Sequence, residues 1–314
     1  MAKNKEETEK ISLRISKARL EYLRREYEVF GVTDVINALI DEKLSNKFKS
    51  EHKKSVISAI GGKHRLSKRL IELFPECKTY VEPFGCTASV LLMKPRSVVE
   101  VYNDINGDVC NFFEILRDCP MELYNKCIEL PYSEKLFADF KRNTIPTDSL
   151  LRAVRFFYLS RASFLGLGRS FLKSKNNYRN PAISYFNDCR RFYSVSERFE
   201  TVVIRNVNYY TILKEYSNDE QAFIFCDPPY LDKGYYQSNF EYSDFKKLLE
   251  YLSRMRGKWM VCHPKNEKLI ALFKSYGYNF ETIHTRTLPA LSVMGSDGKL
   301  IKPPQELLLF NNYI

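Results

Sequence analysis

The chain has 314 residues, 44% of them hydrophobic and 28% charged, with a formal net charge of +11 and a pI near 9.1. That length and apolar content allow a sizeable core and more than one domain, which excludes a disordered or fibrous protein. No apolar run approaches the length of a membrane span, the eight cysteines form no C-x-x-C pair that would suggest zinc, and no leader is recognisable. The expectation is therefore a reducing, cytoplasmic setting and, given the charge, a polyanionic partner.

Taken in chain order, residues 1–9 are polar and belong to a frayed terminus. Lys10-Ile11-Ser12-Leu13-Arg14-Ile15 alternates strictly, as a short strand does. Ser16 can cap a helix carrying Leu20, Leu23, Tyr27 and Phe30, which Gly31 ends, and Thr33 can cap a second with Val35, Ile36, Leu39 and Ile40 inward. A lysine-rich linker follows over 45–54. This unit, set at 1–50, resembles the ribbon-helix-helix DNA-binding modules, in which two chains each give one strand to a ribbon that enters the major groove. The resemblance implies a homodimer and base contacts from Lys10, Ser12 and Arg14. An accessory helical hairpin with a strand added to the main sheet is the alternative.

From about Val56 strands alternate with helices, the pattern of an α/β fold. Strands are expected over 79–81, 97–102, 202–204, 222–226, 258–262 and 306–310, and helices around 242–256 and 267–276. Residues 111–200 read as mostly helical and basic, so that a helical insertion splits one α/β domain made of 55–110 and 201–314. Between Lys141 and Arg191 there are 11 lysines or arginines against Asp148 and Asp188, a net of +9. A solvated face is the bland account of that cluster, and a nucleic-acid surface the functional one.

Two features carry chemistry. Gly85 lies in a turn after one strand and Asp104 ends the next, the spacing by which open α/β folds receive a ribose. The sharper one is Asp227-Pro228-Pro229-Tyr230 after the strand 222–226. A ring-conjugated amine is a poor nucleophile because its lone pair is delocalised. A carboxylate taking one amino hydrogen and a carbonyl taking the other draw that nitrogen toward a tetrahedral shape. Asp227 and the Pro228 carbonyl can fill those roles, the prolines stiffen the loop, and Tyr230 can stack on an extruded base. A plain structural turn is the other reading of two prolines after a strand.

With Gly61-Gly62-Lys63, Glu82-Pro83-Phe84-Gly85, Asn103-Asp104, and Arg161-Ala162-Ser163-Phe164 with Gly166-Leu167-Gly168-Arg169 in the basic stretch, residues 56–314 resemble the Dam-type DNA adenine-N6 methyltransferases. The resemblance implies a Rossmann-like, S-adenosylmethionine-dependent methyltransferase sheet, a helical target-recognition insertion at 111–200 and the small N-terminal ribbon-helix-helix-like domain. It places Ala59, Gly62, Lys63, Glu82, Phe84, Gly85, Asp104, Asn208 and Asp227 at the cofactor, with Lys63 on the methionine carboxylate and Asp104 on the ribose. Asp227, Pro228, Pro229 and Tyr230 hold the target amine. Arg161, Arg169, Lys173 and Lys175 join the N-terminal strand on double-stranded DNA, which implies a nucleoid-associated location, and a cognate restriction nuclease is a further partner. Cys226 and Cys262 are expected to be buried thiols without a nucleophilic role.

The sequence departs from the family at three points. Ala59 stands where an aromatic residue usually packs on the cofactor, Cys86-Thr87-Ala88 follows Gly85 where glycine is usual, and Asn208 stands where an acid usually meets the cofactor's adenine. Two alternatives follow: a methyltransferase-fold DNA-binding protein with weak or no catalysis, and an enzyme methylating amines on RNA or on a protein amide.

Overall fold

A computed structural model describes residues 54–59, 62–173, 180–231, 240–285, 293–294, 300–301 and 305–313. Lys10, Ser12, Arg14, Gly61 and Lys175 lie outside the described residues.

The apolar residues of the strands alternate between two destinations, and that alternation organises the fold. Five parallel strands, β1 (Thr79–Glu82), β2 (Val99–Asn103), β3 (Val202–Arg205), β4 (Ala222–Cys226) and β5 (Lys258–Pro264), form most of one sheet. β6 (Asn279–Thr285) and β9 (Gln305–Asn311) complete it in the order β3-β2-β1-β4-β5-β9-β6, with β9 antiparallel to both neighbours. Tyr80, Tyr102, Phe223, Phe225, Met260, Cys262, Leu307 and Leu309 point to one face. Val81, Val101, Ile224, Cys226, Trp259, Val261, Leu308 and Phe310 point to the other. Both faces are buried, which is why these strands read as nearly unbroken apolar runs.

The first face is covered by α1 (Ser67–Glu72), α2 (Ser89–Met93), α3 (Gly107–Asp118), α4 (Pro120–Ile128), α5 (Glu134–Arg142), α6 (Ser149–Arg161), α7 (Pro181–Cys189) and α8 (Phe192–Phe199). The second is covered by α9 (Tyr209–Glu215), α10 (Tyr242–Leu252) and α11 (Glu267–Ser275). Side-chain caps fix several starts: Asn106 accepts the Asp108 N–H at 2.9 Å, and Asp148 accepts the Leu151 N–H at 2.8 Å. No described helix is long and apolar enough to cross a membrane.

The six strands expected from residue 79 onward all form, with ends shifted by a residue or two, while the strand expected over 10–15 lies outside the described residues. β6 and the small pair β7 (Val293–Met294) and β8 (Leu300–Ile301) were not expected. β6 is an edge strand with only Phe280 and Ile283 apolar among its seven residues, so it lacks the dense apolar signature of the central strands.

The helices between β2 and β3 share the sheet's core. Phe112 stacks on Phe157 with ring centroids 5.8 Å apart, Phe157 meets Phe192 edge-on at 4.8 Å, and Phe113 stacks on Phe199 at 4.6 Å while touching Tyr102 of β2 at 5.1 Å. α3 starts at Gly107, ahead of the expected boundary at 111, and belongs to both parts. Beneath this layer Glu100 of β2 receives Lys94 at 2.6 Å and Arg198 of α8 at 2.5 and 2.9 Å, all three buried. Removing Glu100 would strand both cations without a countercharge.

A shared core has a testable consequence. Phe157→Ala should lower stability by about 3–5 kcal/mol and leave a single unfolding transition. Two separate transitions in calorimetry would show that the helices fold apart from the sheet.

Candidate active site

The loops leaving β1, β2 and β4 meet at the carboxyl ends of the parallel strands, where open α/β sheets receive their ligands. Backbone bonds fix the first two against each other. The Gly85 N–H donates to the Asn103 carbonyl at 2.7 Å, and the Tyr102 hydroxyl donates to the Cys86 carbonyl at 2.7 Å. A Cβ at Gly85 would fall inside the Tyr102 ring, so only glycine fits there. Cys86 and Ala88 take left-handed φ values of 44° and 53°. The loop thus keeps a glycine-like path without glycine, at a conformational cost of roughly 1–2 kcal/mol per residue.

Asp104 is half-buried and ties these loops together: Oδ2 accepts the Cys86 N–H and Oδ1 the Asn106 N–H, each at 2.8 Å. Burial raises its carboxyl's pKa, and the two backbone donors oppose that. The preceding residue, Asn103, is fully buried and uses its whole amide. It donates to the Pro83 carbonyl at 2.9 Å and the Val207 carbonyl at 3.0 Å, and accepts the Val207 N–H at 3.0 Å. The sequence marked Asn103 only as Asp104's neighbour; here it joins the loops after β1 and β3. Asn208 follows directly and caps α9, its Oδ1 accepting the Tyr210 N–H at 3.4 Å. Phe84 packs against Tyr209 at 5.2 Å and edge-on to Phe240 at 5.7 Å.

Lys63 and Asp227, 164 residues apart, meet directly. The buried Lys63 ammonium donates to Asp227 Oδ1 at 2.6 Å and Oδ2 at 2.5 Å, and also to the Tyr230 hydroxyl. Its nitrogen lies 4.9 Å from the Tyr230 ring centroid. Burial lowers the Lys63 pKa, but Asp227 and Tyr230 outweigh it and hold the ammonium well above an ordinary lysine. Burial likewise raises the Asp227 carboxyl while Lys63 opposes it. The Lys63 backbone is anchored by α1, its carbonyl accepting from Leu66 N–H and Ser67 N–H at 2.7 Å and from Ser67 Oγ at 2.9 Å. Gly62 is exposed and donates its N–H to the Ala59 carbonyl at 3.3 Å.

His263, at the end of β5, is a site residue that sequence reasoning missed. Its Nε2 accepts the Leu231 N–H at 3.0 Å, so its proton sits on Nδ1, which donates to the Pro264 carbonyl at 2.5 Å. The ring stands edge-on to Tyr230 and Phe245, 5.2 Å from each. It thereby holds the far end of the Asp227–Tyr230 loop. A lone histidine after a strand carries no spacing signal that would have found it. Cys226 and Cys262 are buried free thiols whose pKa values burial pushes up.

The basic cluster is partly consumed within the protein. Arg161 and Arg191 both pair with the buried Asp188, Arg152 pairs with Asp108 at 2.6 Å, and Arg155 donates to the Phe140 carbonyl at 2.7 Å. Lys173 is exposed and pairs with Glu134 at 2.8 Å, and Arg169 is exposed with its carbonyl accepting from Lys141 at 2.8 Å. Of the DNA-contact candidates that are described, Arg169 and Lys173 face solvent and Arg161 does not.

Glu82 is buried beside the site and accepts the Tyr80 hydroxyl at 2.6 Å. Burial pushes its carboxyl up to about 7. The folded protein then holds a proton that the unfolded chain releases, so stability falls as pH rises from the ordinary carboxylate range through about 7. Glu82→Gln should remove this slope. Melting curves between about pH 5 and 8 should show the wild-type protein losing ground to the variant; a gap that is constant, or that moves the other way, would contradict it.

Comparison with known proteins follows this geometry. Residues 60–288, more than two thirds of the chain, match the model of the D12 class N6 adenine-specific DNA methyltransferases. Among similar proteins, the Type II methyltransferase M.CviBI of Paramecium bursaria Chlorella virus NC1A is 24% identical over 71% of this chain and 87% of its own. The DNA adenine methylase of Haemophilus influenzae is 29% identical over 60% of this chain and 68% of its own, and that of Escherichia coli K12 is 27% identical over 54% and 62%. A solved rRNA methyltransferase, aviRa from Streptomyces viridochromogenes, aligns with 82% of this chain and 89% of its own at 11% identity and a TM-score of 0.35, from which nothing further is drawn. The chain belongs to the D12 class N6 adenine-specific DNA methyltransferase family.

Proposed function

We propose that the protein transfers a methyl group from S-adenosylmethionine to the N6 amine of an adenine flipped out of duplex DNA. The observation that carries this reading is the loop Asp227–Tyr230 at the carboxyl end of β4, with Asp227 beside the Gly85 and Asp104 loops. The place of those loops suits the cofactor: they leave the carboxyl ends of adjacent parallel strands, and the half-buried acid Asp104 directly follows β2. Bound there, S-adenosylmethionine would supply a methyl group made electrophilic by its sulfonium. Glu82, Phe84, Gly85 and Asp104 would line its pocket, with Ala59, Gly62 and Asn208 at the edge.

Asp227 accepts one N6 hydrogen and the Pro228 carbonyl the other, aiming the nitrogen lone pair at the methyl carbon. With the cofactor bound, the nitrogen would take the methyl group as it leaves the sulfur, and Asp227 Oδ, whose proton affinity burial has raised, would accept the N6 proton then released. Tyr230, braced by His263, stacks on the extruded base. Lys63 occupies both Asp227 oxygens in this structure. Each carboxylate oxygen has a further acceptor site, so the amine can engage Asp227 beside Lys63. Arg169, Lys173 and Lys175 serve the DNA backbone or bases. The N-terminal segment, through Lys10, Ser12 and Arg14, docks a dimer on DNA, and a restriction nuclease sharing the recognition site is the partner this activity suits.

Expression in a host with unmodified DNA, followed by sequencing for N6-methyladenine, should reveal new methylation at one recognition sequence. Asp227→Ala should abolish it, and because that change takes the countercharge from the buried Lys63, a melting curve of the variant separates lost chemistry from lost fold. Well-expressed protein that leaves no modified adenine would count against the enzyme reading, and absence of S-adenosylmethionine binding in calorimetry would leave a non-catalytic DNA-binding protein.

Deletion of residues 1–50 should weaken DNA binding and flatten its salt dependence while methyl transfer persists. Loss of soluble folding would instead assign that segment to the catalytic core.

A further inference from the structure

The residues just ahead of Lys63 are gripped by the helical segment between β2 and β3. The Ser58 N–H donates to Ser160 Oγ, and Ser160 Oγ donates to the Ser58 carbonyl, each at 3.0 Å. Arg161, the next residue of α6, donates through Nη1 to Ser58 Oγ and pairs through Nη2 with Asp188 of α7. Asp188 also pairs with Arg191, which donates to the Lys54 carbonyl at 2.6 Å and the Ser55 carbonyl at 3.2 Å. Gly166, with φ of 72°, lies so close that a Cβ would overlap the Ser58 carbonyl. Val56 and Ile57 are buried in the first core between these bonds. Ser160, Arg161, Gly166 and Arg191 of the helical segment therefore converge on residues 54–58. Five residues beyond Ser58 stands Lys63, on the Asp227 carboxylate.

We propose that Arg161 is a positioning residue: with Asp188 it holds the strap 54–58 and so fixes where Lys63 stands in the active site. The inference rests on the reading of that site as the S-adenosylmethionine pocket. It replaces the sequence-based expectation that Arg161 touches DNA. Its side chain is 18% exposed and Asp188 is 8% exposed. Swinging Arg161 out to a phosphate would strip a buried carboxylate of one of its two cations, a costly exchange. Held inward, it makes the segment that carries Arg169 and Lys173 continuous with the loop that carries Lys63.

The two roles separate cleanly in binding measurements on the full chain. S-adenosylhomocysteine affinity is measured by calorimetry, and affinity for a random-sequence 30-base-pair duplex is measured across a salt series. Arg161→Met should weaken S-adenosylhomocysteine roughly threefold to tenfold and leave the slope of log affinity against log salt unchanged. Asp188→Asn should weaken it comparably, although by charge alone the loss of an acid would strengthen DNA binding. Arg161→Lys keeps the charge but lacks the fork that spans Ser58 and Asp188, so it should share the cofactor defect, and it serves if the other variants do not fold. The proposal is overturned if Arg161→Met or Arg161→Lys binds S-adenosylhomocysteine like the wild type. A salt slope reduced by about one in Arg161→Met with normal cofactor binding would assign the residue to a phosphate instead. Wild-type protein that binds no S-adenosylhomocysteine would overturn the pocket itself, which is a distinct result.

Discussion

The ion pair between Lys63 and Asp227 is the constraint around which the site is arranged. A buried ammonium is tolerable only with a countercharge in contact, and a buried carboxylate needs the same. Each therefore fixes the position of the other, and they come from opposite ends of the catalytic unit. Lys63 stands at the start of the first described helix, while Asp227 leaves the central strand β4. Around them the remaining devices are local. Gly85 gives way to the Tyr102 ring, Asp104 and Asn103 lock three loops together, and His263 pins the residue after Tyr230. The outcome is a site whose acceptor is placed by its countercharge and keeps acceptor capacity beyond it.

The departures from the family pattern have different physical weights. Cys86 and Ala88 preserve the loop's path by accepting left-handed backbone, so the absent glycines alter energy more than shape. Asn208 retains an acceptor oxygen but spends it on a helix cap. Ala59 supplies a backbone carbonyl to the Gly62 turn and no aromatic surface. The changes thus fall on the side of the site that the proposed function gives to the cofactor. The Asp227–Tyr230 side keeps its residues and is supported by neighbours that the sequence did not single out.

Much of this was legible because it is local. Alternating apolar residues marked the strands that both layers bury, and the Asp-Pro-Pro-Tyr run stated its own rigidity. What stayed hidden depends on contacts between distant residues. Nothing in the spacing of Lys63 and Asp227 shows that they touch, and Asn103 looked like a companion of Asp104 until its amide was seen bridging two loops. Arg161 sat in a basic stretch and was read by its charge, while its partner Asp188, one of only two acids there, was counted merely as a subtraction. β6 escaped notice because an edge strand buries too little to declare itself.

On the proposed reading, in which Arg169 and Lys173 meet the DNA, the core shared between the sheet and the helices of 107–199 limits how specificity can change. Where a recognition element is an independent module, specificity can be altered by exchanging the whole piece. Here Phe112, Phe157, Tyr185 and Phe192 belong to the same packed interior as Tyr80 and Phe223. An exchanged segment would have to reproduce that interior side chain by side chain. New specificity is therefore open chiefly to point replacement on the outward surface, so relatives should diverge in the sequence they read while keeping the skeleton that reads it.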